Sequence, residues 1–179
     1  MAKSLSALKL SAAPVLIVAA LLFAAPAAAQ QADDFHPFLG SYAGEVEVVG
    51  DDGPETRLLK VDIEQTGEQG FNVTWSTTTR KPSGEAKTDT YHARFAKAAS
   101  NIYHVAEKDF SFGGANGTTY AMIVDNTMTV IALLTTPDGH YEVQTYERTL
   151  VPGGLKLNYK RRRDRVDLKS IEAMLKRVK

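Results

Sequence analysis

The chain has 179 residues, no cysteine, and 21 basic against 21 acidic residues. The missing cysteines exclude a lipidated anchor cysteine, a disulfide framework, a thiolate metal site and a cysteine nucleophile. The neutral balance hides an asymmetry: residues 160–179 carry nine basic side chains against three acids, whereas residues 30–159 carry ten against eighteen, so an acidic body precedes a basic C-terminus.

Lys3 and Lys9 precede an apolar run over residues 12–25, and Ala27, Ala28 and Ala29 offer small residues for cleavage. The pattern predicts a secretory signal peptide, residues 1–29, helical in its apolar part, and a periplasmic or secreted protein after cleavage near Ala29. About 150 residues would remain, enough for one domain with its own core. Residues 30–37 read as a polar lead-in.

From Phe38 the chain alternates. Tyr42, Gly44, Val46 and Val48 form one face of a first strand, closed by the turn at residues 50–54. Leu59, Val61 and Ile63 mark a second, and Phe71, Val73, Trp75 and Thr77 a third. Tyr91, Ala93 and Phe95 mark a fourth, Tyr103 and Val105 a fifth, and residues 107–117 look looser. Residues 118–124 and 127–135 predict a hairpin around Asp125 and Asn126. Its second arm is so continuously apolar or β-branched that it is expected to be covered on both faces.

Residues 139–163 carry the clearest hairpin, turning at Val151-Pro152-Gly153-Gly154, where proline presets φ and glycine accepts φ > 0. With Val151 opposite Gly154, Tyr146 faces Tyr159, Arg148 faces Leu157, Leu150 faces Leu155 and Gln144 faces Arg161. All of these share one face, and Thr145, Glu147, Lys156, Asn158, Lys160 and Arg162 share the other. About nine strands at this spacing predict an all-β, antiparallel up-and-down barrel of about 8–10 strands over residues 38–163. Leu168, Ile171, Leu175 and Val178 recur at i, i+3, i+7 and i+10. They predict a basic amphipathic α-helix over residues 164–179, packed on the barrel or resting weakly on an anionic membrane.

The entry Phe38-Leu39-Gly40-Ser41-Tyr42, the meander of hairpins and the arginine-bearing final strands together resemble a calycin-type barrel, the group of lipocalins and fatty-acid-binding proteins. Lipocalins carry Gly-x-Trp at that entry with an arginine from the last strand on the indole; here Tyr42 stands in the tryptophan's place. Tyr146-Glu147-Arg148 and Tyr159-Lys160-Arg161 are similar to the Arg and Tyr pairs that hold a ligand carboxylate in fatty-acid-binding proteins. The resemblance implies a barrel that binds a small hydrophobic or amphipathic ligand.

Tyr146, Arg148, Tyr159 and Arg161 are therefore the candidate ligand-binding residues. An inward arginine must find a carboxylate, a ring or an anionic ligand, because an unpaired buried charge is costly. The structural alternative pairs one of them with an acid such as Glu142, or places one beside Tyr42. His92 and His104 would face each other if their strands paired about Ala98, but Arg94 opposes a cation there and a solvent-facing pair is the simpler reading. His36 and His140 build no triad. Residues 113–117 precede a strand, not a helix, and so make no phosphate loop. Ser41 stands on no nucleophile elbow. No catalytic set, metal or cofactor is expected, and no nucleic acid, since no aromatic platform accompanies the basic end. The functional expectation is an exported binding protein; the alternative is an interaction or envelope accessory module with a packed barrel.

Overall fold

The structure, a computed structural model, describes residues 35–50, 53–106, 111–112 and 115–178. The expected signal peptide, most of the lead-in and the glycines at 113 and 114 lie outside these residues. A 3-10 turn (His36–Phe38) leads into β1 (Gly40–Gly50), β2 (Gly53–Gln65), β3 (Gly70–Arg80), β4 (Ala86–Lys97) and β5 (Ile102–Val105). The short β6 (Ser111–Phe112) is followed by β7 (Ala115–Val124), β8 (Thr127–Thr135), β9 (Tyr141–Val151), β10 (Gly154–Arg163) and β11 (Val166–Arg177). Every pairing is antiparallel. The sheet closes where β5 meets β7, so ten strands form a barrel and β6 extends one edge of β7. The closing contact is short, pairing residues 102–104 of β5 with residues 120–122 of β7. Part of the stretch expected to be loose, residues 115–117, belongs to β7.

The β9–β10 register is the predicted one: Gly154 lies opposite Val151, Tyr159 opposite Tyr146, Leu157 opposite Arg148 and Arg161 opposite Gln144. Gly153 takes φ 83°, the left-handed value that the turn requires. The turn joining β10 to β11 places two non-glycine residues in the same region, Asp164 at φ 47° and Arg165 at φ 72°. Arginine has no side-chain means of relieving that strain. Arg165→Gly is expected to stabilise the protein by about 1 kcal/mol, read as a higher urea midpoint at unchanged m-value.

The C-terminal segment corrects the sequence reading. Residues 166–177 form β11, and no α-helix occurs among the described residues. Ile171, Ala173 and Leu175 are buried at period two, while Leu168 and Val178, which completed the helical stripe, are exposed. The physical reason is the barrel itself. Without β11, the facing edges of β1 and β10 would carry unpaired N–H and C=O groups, and pairing along β10 from Gly154 to Arg163 outweighs local helical preference. The helix through which a membrane contact was expected is therefore not among the described elements. The basic end instead disperses: Arg161 and Arg163 pair with Glu142, and Arg162 with Asp167.

The strand expected to be covered on both faces is not. β8 buries Met128, Val130, Ala132 and Leu134, but Leu133 on its outer face is 44 % exposed.

One end of the barrel is solid. Phe35 and Phe38 from the entry are buried, with Phe35 5.2 Å from Phe71 and edge-on to Tyr103 at 6.2 Å, and Phe71 stacked on Phe95 at 5.1 Å. Tyr42 donates to the Phe38 carbonyl at 2.9 Å. The Arg177 guanidinium, from the last strand, lies 4.8 Å from the Tyr42 ring centre. It donates to the Tyr42 hydroxyl at 2.6 Å and to the carbonyls of Leu39 and Pro37 at 2.6 and 3.2 Å. The arginine beside Tyr42 is thus Arg177, from the segment expected to be a helix, and neither Arg148 nor Arg161. Replacing it with methionine is expected to cost about 1–2 kcal/mol, measured by chemical unfolding, with faster amide exchange at residues 38–42.

Candidate functional site

The other half of the barrel encloses a cavity of about 610 Å³. Its walls are inward positions of alternating strands. Along β9 these are Glu142, Gln144, Tyr146 and Arg148, and along β10 Leu157, Tyr159, Arg161 and Arg163. Leu59 and Val61 of β2, Trp75 of β3, Tyr91 of β4, Leu134 of β8 and Ile171 of β11 complete the apolar lining. Arg57, Asp89, Asp138 and Lys169 stand towards the rim. All four predicted site residues, Tyr146, Arg148, Tyr159 and Arg161, face this one space.

They do not share one role. Arg161 has its charge paired within the protein, although its Nε, like that of Arg163, has no hydrogen-bond partner among the described residues: its Nη2 donates to Glu142 Oε2 at 2.7 Å, and Arg163 Nη2 donates to the same oxygen at 3.3 Å. Glu142 is 2 % exposed, and Gln144 Nε2 donates to its other oxygen at 2.6 Å. The Gln144 oxygen in turn accepts from the hydroxyls of Tyr146 at 2.8 Å and Tyr159 at 3.1 Å. Burial alone would push the Glu142 carboxyl up, but Arg161, Gln144 and Arg163 together hold it below its ordinary value. Burial pushes Tyr159 up to about 12 and Tyr146 well above the ordinary phenol value, so both remain neutral donors. The structural alternative, an arginine paired with Glu142, is the arrangement of Arg161.

Arg148 is different. It is 1 % exposed, and its Nε and Nη1 have no hydrogen-bond partner among the described residues. Its cross-strand neighbours are Leu157 on β10 and Met128 on β8, neither of which can accept a proton. Two rings lie beside the guanidinium, its carbon 5.2 Å from the Tyr146 ring centre and 6.0 Å from that of Trp75. Burial lowers its pKa to about 10, which still leaves it charged at neutral pH. It is a desolvated cation beside two rings in the lining of the cavity, and an anion that displaced the groups covering Nε and Nη1 would find both without a partner.

Trp75 and Tyr91 were legible as inward strand residues, yet nothing in the sequence tied them to Arg148. That link needs the register of β3 against β4, which sets Trp75 opposite Tyr91, and the closure that brings β3 across from β9. The histidines do not meet. His104 lies opposite Ala96, four residues along β4 from His92, a separation of roughly 13 Å. His92 instead hydrogen-bonds Thr74 at 3.1 Å. His140 hydrogen-bonds Asp164 at the turn, and His36 stacks on Phe35. No group of three metal-ligating side chains occurs among the described residues.

No protein-family model and no curated protein matches this chain.

Proposed function

We propose that the protein is an exported carrier that holds a small amphipathic anion inside a calycin-like barrel, with the anionic group on Arg148. The observation that carries this reading is the buried guanidinium, without a hydrogen-bond partner on Nε and Nη1, at the floor of the 610 Å³ cavity. That volume falls within the range of small-molecule sites. A filled barrel would instead have favoured the interaction module. Export rests on the N-terminal sequence pattern, and the calycin type on the closed antiparallel barrel together with an arginine of the last strand on the entry tyrosine.

The reading is one of binding, not catalysis. Glu142, the buried carboxylate in the cavity wall, is committed to two arginines and a glutamine, which leaves it no proton to trade near neutral pH. Tyr146 and Tyr159 orient the wall and present hydroxyl dipoles. Arg161 holds Glu142 in place and keeps that wall polar.

Native mass spectrometry of protein purified from its own host tests the reading. The expected result is a second species, heavier by one small acidic molecule and lost on acid denaturation. A bare chain mass, together with no thermal shift across a panel of amphipathic acids, would count against it.

A further inference from the structure

The position of Arg148 and the make-up of the walls narrow the ligand class, an inference that rests on the carrier reading above. Below Arg148 the barrel is filled by Phe38, Phe71, Phe95, Tyr103, Met128 and Leu155, none of them more than 1 % exposed. An anion on the guanidinium therefore sits at the deepest point available, and the rest of the ligand must lie between Arg148 and the rim. From Arg148 to Glu142 is six residues of β9. That is roughly 20 Å of strand and about 15 Å of depth at ordinary barrel tilt.

Four rings run through the wall over that depth, beside the polar side chains of Gln144 and Arg161. Trp75 lies 5.9 Å from Tyr91 and 5.5 Å from Tyr146, and Tyr146 lies 4.7 Å from Tyr159, so four rings form a continuous lining. Such rings pack best against another flat ring, offset or edge-on. At the rim the lining turns to charge, with Arg57, Asp89, Asp138 and Arg163. A fully extended sixteen-carbon chain, roughly 20 Å long, would carry its end past the rings and among those charges, where its methylenes gain nothing by burial. A ligand entering tail first would leave Arg148 facing hydrocarbon, the costliest arrangement of all.

We propose that the cavity takes a compact aryl carboxylate, one or two fused rings in size, with its carboxylate on Arg148 and its ring system against Trp75, Tyr91, Tyr146 and Tyr159. Long-chain fatty acids fit this site less well. Rim arginines Arg57 and Arg163 would guide the anion inward without holding it, since each already has a carboxylate partner.

Trp75 is the only tryptophan in the chain, so its emission reports occupancy of this cavity. The test is calorimetric titration of the purified protein with 2-naphthoate, 2-naphthamide and hexadecanoate, with Trp75 emission followed in parallel. The expected result is saturable 2-naphthoate binding, at least about tenfold tighter than either of the others, with a change in Trp75 emission. In Arg148→Met the acid and the amide should bind equally. Hexadecanoate binding tighter than 2-naphthoate would overturn the aryl class and leave the carrier reading standing. Equal affinity for acid and amide in the native protein would overturn the role of Arg148 using ligands alone, whatever the variant does. Saturable binding of none of the three would overturn both readings.

Discussion

Replacing Arg148 with methionine is expected to move stability and ligand affinity in opposite directions. The guanidinium is 1 % exposed, and its Nε and Nη1 have no hydrogen-bond partner among the described residues. Its desolvation is offset only by two ring contacts. Methionine keeps most of the side-chain length, packs against Leu157 and Met128, and removes the charge. Exchanging a poorly compensated buried charge for an apolar side chain of similar size stabilises by about 1–4 kcal/mol. The urea midpoint should therefore rise at unchanged m-value. Affinity for an amphipathic anion should fall by about 100-fold, the loss of a charge-assisted hydrogen-bond pair at roughly 2–3 kcal/mol. A purely structural arginine would give the reverse on the first measurement: a loss of stability. The two readouts taken together thus separate a residue kept for binding from one kept for folding.

The second large effect lies a few residues away, at Glu142. Glu142→Gln removes the charge that Arg161 and Arg163 share and leaves two guanidinium groups facing a neutral amide. Breaking a buried pair from one side costs about 3–5 kcal/mol when both partners are dry. Here the two arginine side chains are 36 % and 32 % exposed, and water relieves part of the loss, so about 2 kcal/mol is expected. The pH dependence carries the diagnostic sign. Because the folded carboxyl is held below its ordinary value of 4.5, the unfolded chain takes up this proton first as the pH falls. The stability that the carboxylate contributes is complete above about pH 4.5 and is lost as the pH drops through the lower, folded value. Urea midpoints across that window should fall steeply for the native protein and less steeply for Glu142→Gln. Parallel slopes would show that Glu142 is not held in the way its partners imply.

These two side chains also show where the chain was readable. Arg148 and Arg161 of the β9–β10 hairpin were placed on the inward face by period-two alternation and a Pro-Gly turn, which are local signals. Their different fates follow from neighbours across the strands. Glu142, two residues from Gln144, sits diagonal to Arg161 and opposite Arg163, so that pairing can be derived once the hairpin register is known. Arg148 has Leu157 on one side and, through the β8–β9 pairing, Met128 on the other. The second neighbour belongs to a separate hairpin, and the open space beyond it belongs to the whole barrel.

The amino-acid sequence by itself determined the alternation of the strands, the inward and outward faces of the last hairpin and the turn at Pro152 and Gly153, because each of these depends on residues close in the chain. Only the tertiary structure decided that residues 166–177 are a strand. Ile171 and Leu175 satisfy a helical and a strand period equally well, and the choice was made by two barrel edges with unpaired backbone groups. The tertiary structure likewise decided that one half of the barrel is solid and the other hollow. That division reflects how side chains from ten strands sum in volume at each level: phenylalanine and leucine fill one end, whereas Arg148, Gln144 and the tyrosines meet across the other without filling it.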